Sequence, residues 1–283
     1  MSVARAGRFG DGSEGSVSPS GGAARIADAF ANHGKLAALM PYVMAGFPTL
    51  EESARIGQAC VRAGADVIEL GVPYSDPLAD GPVIHEAGTR ALAAGSSIGG
   101  VLEVARAISA DVPVVLMCYA NMVFAPGVES FLDRLARSGA SGLIVPDLPY
   151  GEAPEVLGAC EQRGLALVPL VAPTTTDQRL AAIGAQARGF LYTVSVVGTT
   201  GERRALGERF AEVVRRAKSS TDVPVALGFG IGTPEQAAEA AAAGADGVIV
   251  GTRLVREAAE AERPAEAVGA VVEALAAGLS PAR

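Results

Sequence analysis

The stretch Ala63-Gly64-Ala65-Asp66-Val67-Ile68-Glu69-Leu70-Gly71 decides the fold, because its first half stops a helix and its second half reads as a strand. Glycine is favoured just past a helix C-terminus, and the short apolar run behind it suits a buried strand. Similar phrases stand at Ser138-Gly139-Ala140-Ser141 and Ala243-Gly244-Ala245-Asp246, each followed by another apolar run. Working outward, strands are expected at 39–45, 67–71, 112–119, 142–146, 166–171, 189–194, 223–227 and 247–250, separated by amphipathic Ala-rich segments that carry Glu and Arg on one face. Eight such units of similar length, with no Gly-x-Gly-x-x-Gly after the first strand, predict an α/β fold closed into a (β/α)8 TIM barrel rather than an open doubly wound sheet.

Composition bounds the rest. A chain of 283 residues, 49% hydrophobic and 19% charged, suffices for one barrel and excludes disorder as its dominant state. Residues 1–22 are rich in Gly and Ser and nearly devoid of apolar side chains, so a disordered tail is expected there, with one catalytic barrel domain over 23–283. There is neither an apolar run of eighteen residues nor a secretory pattern, and a cytoplasmic location is expected. The net charge of −8 argues against nucleic acid or an anionic membrane as partner. Arg203, Arg204, Arg209, Arg215, Arg216 and Lys218 are interleaved with Glu202, Glu208 and Glu212, the pattern of a solvated helix face. Cys60, Cys118 and Cys160 lack metal or redox spacing and read as small buried hydrophobes.

A barrel of this kind carries its active site at the C-terminal ends of the strands, often with a phosphate site in the last two loops. Gly-rich turns stand there: Gly228-Phe229-Gly230-Ile231-Gly232-Thr233-Pro234 after the seventh expected strand, Gly251-Thr252 after the eighth, and Gly198-Thr199-Thr200-Gly201 after the sixth. Glycines alone serve tight turns, but three such loops at these places favour a phosphorylated substrate. Alternation along the second strand turns Glu69 into the barrel and Ile68 and Leu70 toward the helices. A carboxylate packs poorly there, and desolvation would poise it to give and take a proton. Asp80, in a stiff loop with Pro73, Pro77 and Pro82, reads equally as a second functional carboxylate or as part of a helix N-cap. Lys35 and Lys218 precede strands rather than follow them, which disfavours a Schiff-base aldolase. His33 and His85 lack a supporting ligand pattern, so no metal site is expected.

The stretches Pro41-Tyr42-Val43-Met44-Ala45-Gly46 and Ile68-Glu69-Leu70-Gly71-Val72-Pro73-Tyr74-Ser75-Asp76-Pro77-Leu78-Ala79-Asp80-Gly81-Pro82-Val83-Ile84 resemble the tryptophan synthase alpha chain family. Matches continue through Tyr119-Ala120-Asn121, Pro146-Asp147-Leu148-Pro149, Tyr192, Thr200-Gly201, Gly228-Phe229-Gly230-Ile231 and Gly251. The resemblance implies reversible aldol cleavage of indole-3-glycerol phosphate to indole and glyceraldehyde 3-phosphate, in tryptophan biosynthesis. By the same resemblance Glu69 is the general acid/base, Asp80 accepts the indole N–H, Tyr192 lies close to Glu69, and Thr200 belongs to a closing loop. Gly201, Gly230, Gly251 and Thr252 would bind phosphate, and Tyr42, Met117, Ile144 and Phe229 would line the indole pocket. No cofactor is implied in this chain. Pro73, Asp76, Pro77, Asn121, Phe124 and Pro149 would face a beta subunit in an alpha2beta2 heterotetramer, and pyridoxal phosphate would belong to that partner.

The chain departs from the family at four places: Phe47 for an Asp, Val196 for an Arg, Thr199 for a Val, and Thr252 for a Ser. Thr252 keeps the hydroxyl. Phe47 and Val196 each remove a charge, expected on the rim where loop closure and subunit coupling occur, and so motivate a rival reading as a stand-alone indole-3-glycerol phosphate lyase. A non-catalytic subunit that gates a partner is disfavoured by the presence of both Glu69 and Asp80, and another phosphate-binding barrel such as an isomerase by the length of the match.

Overall fold

Short apolar runs joined by helices can satisfy their backbone groups in one sheet only by pairing in parallel. In the computed structural model, which describes residues 21–194, 203–228 and 230–281, they do so as β1 (Ala38–Met44), β2 (Ile68–Gly71), β3 (Val114–Met117), β4 (Gly142–Ile144), β5 (Ala166–Leu167), β6 (Leu170–Val171), β7 (Leu191–Val194), β8 (Val225–Gly228) and β9 (Gly247–Val250). The order is β5-β4-β3-β2-β1-β9-β8-β7-β6. The terminal strands β5 and β6 are two pieces of the single run expected at 166–171, parted around Pro169, which has no N–H for a ladder. Val168 N–H donates to Leu143 O at 2.9 Å on the β4 side, and Tyr192 N–H donates to Pro169 O at 3.0 Å on the β7 side. Both ends of the sheet therefore meet in one stretch of chain, and the sheet closes as the expected barrel.

The helix-stop phrases behave as read. Gly64, Gly139 and Gly244 take φ of +99°, +82° and +96°, a left-handed turn that glycine adopts without a Cβ penalty. The Asp closing two of the phrases has a further task that the sequence reading missed. Asp66 Oδ2 accepts the Leu39 N–H at 2.7 Å and Asp246 Oδ2 accepts the Val225 N–H at 2.9 Å, each tying a neighbouring strand at its N-terminal half. Both lysines serve the same end of the barrel, Lys35 on Asp66 at 2.8 Å and Lys218 on Asp246 at 2.7 Å. That confirms their distance from the catalytic end in chain terms.

Of the expected tail, residues 1–20 lie outside the described residues. Gly22 already opens a helix, Gly22–Asn32. Its Ile26 and Phe30 join the cluster inside the barrel with Met40, Val115 and Ile144, and Arg25 donates to Ser109 O at 2.6 Å and Gly139 O at 3.3 Å. A Cβ at Gly247 would stand 2.8 Å from the Phe30 ring, so the small residue is what admits this plug. Outward-facing Ile68, Leu70, Leu116 and Leu143 form a second, larger cluster with the surrounding helices. Among the described residues no single helix is long and apolar enough to cross a membrane.

Candidate active site

The inward-facing positions of the strands are apolar or glycine with few exceptions, and the one carboxylate among them is Glu69 on β2. It is 1% exposed. Its register partner on β1 is Tyr42 and on β3 Val115, so it stands above the inner cluster and faces the open end of the barrel. A cavity of about 490 Å³ occupies that end. Its floor and walls come from strand ends, namely Tyr42, Glu69, Met117, Tyr192 and Ile249, while Asp80 enters from the loop after β2. The loop after β8 contributes Gly230, Ile231, Gly232 and Thr233, and the turn after β9 contributes Gly251 and Thr252.

Burial, with a smaller contribution from the charge of Asp80, pushes the Glu69 carboxyl up from 4.5 to about 8. Its Oε2 has no hydrogen-bond partner among the described residues. A carboxyl so placed is protonated at neutral pH, and one of its oxygens is buried without such a partner in a residue that lines the cavity. Burial also raises Asp80 above its ordinary value, and the Tyr119 hydroxyl, donating to Asp80 Oδ1 at 3.0 Å, and the nearby His85 offset part of that rise. Two carboxyls thus share one cavity, both raised by burial, and only Asp80 receives hydroxyl and imidazole contributions that oppose the rise. Tyr42 and Tyr192 are buried beside them. Burial first, then the negative charges of Asp80 and Glu69 for Tyr42 and of Glu69 for Tyr192, hold both phenols well above their usual range, so they remain hydrogen-bond donors.

Tyr119 is a residue whose role the sequence reading did not find. Its ring stacks on Tyr74 at 5.1 Å, its hydroxyl accepts the Ala79 N–H at 3.0 Å, and it donates to Asp80. One side chain therefore fixes both the backbone and the carboxylate of the Asp80 loop. The N-cap alternative for Asp80 is not realised: Gly81 is the N-cap of helix Pro82–Ala93, without a side-chain cap bond. Arg253, Arg256 and Gln236 also line the cavity without having been anticipated; the only signal was their position just past the two Gly-rich turns.

The residues singled out in the sequence separate as follows. Glu69, Asp80, Tyr192, Gly230, Gly251, Thr252, Tyr42 and Met117 converge on the cavity. Ile144 does not line it and is fully buried in the inner cluster. Thr200, Gly201, Phe229, Val196 and Thr199 lie outside the described residues. On the rim, Asp76, Asn121, Phe124 and Pro149 are exposed and Pro77 is half-buried, whereas Pro73 is buried and presents no face for a partner. Leu78, unremarked in the sequence, is 83% exposed beside them. Phe47 is corrected too. It is 2% exposed, with the Arg90 guanidinium 4.8 Å from its ring centroid, so the position lies inside the fold and not on the exposed rim.

The family model described as tryptophan synthase alpha chain matches residues 29–281. The tryptophan synthase alpha chain of Methanosarcina mazei is 51% identical over 222 residues, 78% of this chain and 81% of that protein. That of Synechocystis sp. is 48% identical over 225 residues, 79% and 85% of the two. Among solved structures, tryptophan synthase from Mycobacterium tuberculosis superposes with a TM-score of 0.83 at 39% identity, covering 92% of this chain and 98% of that one. Tryptophan synthase subunit alpha from Legionella pneumophila gives 0.82 at 38% identity, covering 90% and 98%.

Proposed function

The chain belongs to the tryptophan synthase alpha chain family, acting in tryptophan biosynthesis, and on that premise we propose that it is the lyase that cleaves indole-3-glycerol phosphate to indole and glyceraldehyde 3-phosphate. The observation that carries the proposal is Glu69, a buried carboxyl on a residue lining the cavity, pushed up to about 8 and with one oxygen lacking a hydrogen-bond partner among the described residues. In this reading the Glu69 acid gives its proton to indole C3, which makes the ring an electron sink. The side-chain hydroxyl then returns a proton to the Glu69 carboxylate as the bond from C3 to the glycerol carbon breaks. Its electron pair restores the aromatic indole, and the hydroxyl carbon becomes the aldehyde. Asp80, whose Oδ1 accepts from the Tyr119 hydroxyl, accepts the indole N–H and, as the carboxylate, stabilises the positive charge that C3 protonation creates. Tyr42 and Met117 supply the flat apolar slot, and Gly230, Gly251 and Thr252 the phosphate end. No step calls for a cofactor in this chain. The exposed rim of Asp76, Leu78, Asn121, Phe124 and Pro149 would meet a beta subunit, which would hold the pyridoxal phosphate. The chain's catalytic unit is the barrel over 23–283, and its place of action is the cytoplasm.

The test is the rate of glyceraldehyde 3-phosphate formation from indole-3-glycerol phosphate, alone and with a cognate beta subunit. Slow turnover alone and faster turnover with the partner is the expected result; no turnover in either case would refute the lyase reading. Because the acid form of Glu69 starts the reaction, kcat/KM should fall as pH rises through about 8. In an Asp80→Asn variant the same limb should move to lower pH, since one of the two causes of the elevation is gone. A pH profile without an alkaline limb near there would remove Glu69 from the acid role.

The indole slot depends on a missing side chain. A Cβ on Gly71 would stand 1.9 Å from the Tyr42 hydroxyl and 2.4 Å from its ring carbon Cζ. Gly71→Ala must therefore turn the Tyr42 ring aside. With overpacking costs of about 1–3 kcal/mol, indole affinity measured by calorimetry should fall roughly tenfold. Unchanged affinity would show that Tyr42 does not bound the slot.

A further inference from the structure

The cavity carries both signs of charge. Glu69 and Asp80 line it, and so do Arg253 and Arg256 from helix Thr252–Glu260, which begins at the turn after β9. Neither arginine is ion-paired or hydrogen-bonded to Glu69 or Asp80 among the described residues. The cations are thus not there to neutralise the catalytic carboxyls. The stem of Arg253 lies against the other glycine loop: a Cβ built on Gly232 would meet Arg253 Cβ at 3.4 Å. Its guanidinium pairs with Glu257 one turn along the helix. Arg256, one turn beyond Thr252, is exposed and has no ion-pair partner among the described residues.

Two backbone donors on the cavity wall are already engaged. Gln236 Oε1 accepts the Thr233 N–H at 3.2 Å, as part of the capping box that opens helix Pro234–Ala242, and also the Gly232 N–H at 2.8 Å. Those two N–H groups are committed to the fold. A phosphate monoester carries close to two negative charges at neutral pH, and turn amides bring only partial charges against it. A guanidinium supplies a full charge and two parallel N–H groups that match phosphate geometry.

We propose that Arg253 and Arg256 form a side-chain clamp on the phosphate of the substrate, with Arg256 as the free arm and Arg253 exchanging Glu257 for the ligand. The clamp rests on the phosphorylated substrate of the preceding section and adds to it two residues that select a dianionic end. Glu257 acts as an internal competitor that holds Arg253 in the empty site.

Calorimetric titration with glycerol 3-phosphate, and with glycerol as the uncharged control, tests the clamp on the full chain. Charge-assisted hydrogen bonds to an exposed site predict that Arg256→Gln weakens glycerol 3-phosphate about tenfold, and that Arg256→Lys recovers part of the loss. Glu257→Gln should tighten binding roughly twofold to threefold by releasing Arg253, and that gain should vanish when Arg253→Gln is added. A merely structural role for Glu257 would not produce tighter binding. Wild-type affinity in both Arg256→Gln and Arg253→Gln, or no gain in Glu257→Gln, overturns the clamp. Turnover of indole-3-glycerol phosphate by the unaltered chain is measured in parallel. Arginine-dependent phosphate binding without turnover would refute the lyase reading and keep the clamp, while turnover with arginine-indifferent binding would refute the clamp alone.

Discussion

Glu69→Gln should lower the rate of indole-3-glycerol phosphate cleavage by about 10³-fold, the range that loss of a positioned acid–base group produces, while leaving the barrel folded. Gln keeps the size and polarity of the side chain but can neither give nor take the proton that C3 requires. The variant should also be more stable than the original at neutral pH. The carboxyl has an ordinary value of 4.5 and a folded value of about 8, so the folded chain binds the proton more tightly than the unfolded one. Its contribution to stability is fully present below 4.5 and is lost progressively as pH rises to about 8. At pH 7 the loss amounts to about 3 kcal/mol, which the uncharged amide avoids. The coupled assay and thermal denaturation at pH 7 check the two halves together. Wild-type turnover in Glu69→Gln would end the catalytic assignment, and a lower melting temperature would show that the carboxyl supports the fold instead of straining it.

Asp80→Asn should cost roughly a hundredfold in kcat, the magnitude associated with losing one preorganised electrostatic partner of a transition state. The effect should fall mainly on kcat, because the charge it opposes arises only after C3 is protonated. Tyr119→Phe separates position from charge. It removes the hydroxyl that donates to Asp80 and accepts from Ala79, yet keeps the ring stacked on Tyr74. We expect a loss of about tenfold, smaller than that of Asp80→Asn, since a mobile carboxylate still reaches the indole N–H part of the time. Equal rates in Asp80→Asn and the unaltered chain would leave Asp80 as a loop residue with no part in the reaction.

Much of this site was legible before folding because it depends on local rules. The period-two alternation that turns Glu69 inward needs only the strand, and the strand is announced by the helix-stop glycine before it. The glycines at 230 and 251 could be placed at the catalytic end because strand direction in a barrel fixes which loops lie there. What escaped were relations between residues distant in sequence. Nothing near Tyr119 in the chain indicates that its hydroxyl will meet Asp80, 39 residues away. Phe47 read as a lost rim charge because its family counterpart is an Asp, whereas the Arg90 guanidinium and the surrounding apolar side chains make it part of the interior. Ile144 has the inward parity of a pocket residue but lies in the fully buried inner cluster, and Pro73 is covered by its own chain; depth is not encoded in alternation.

The sequence by itself determined the barrel, its strand order in the chain, the inward carboxylate and the loops that carry the site, since each follows from periodicity and from the backbone preferences of Gly and Pro. Only the tertiary structure decided the proton affinities of Glu69 and Asp80, the anchoring of the Asp80 loop by Tyr119, the commitment of the Gly232 and Thr233 N–H groups to Gln236, and the presence of two arginines on the cavity wall. These are matters of burial and of charge separation, and they come into being when distant segments close around a space that excludes water.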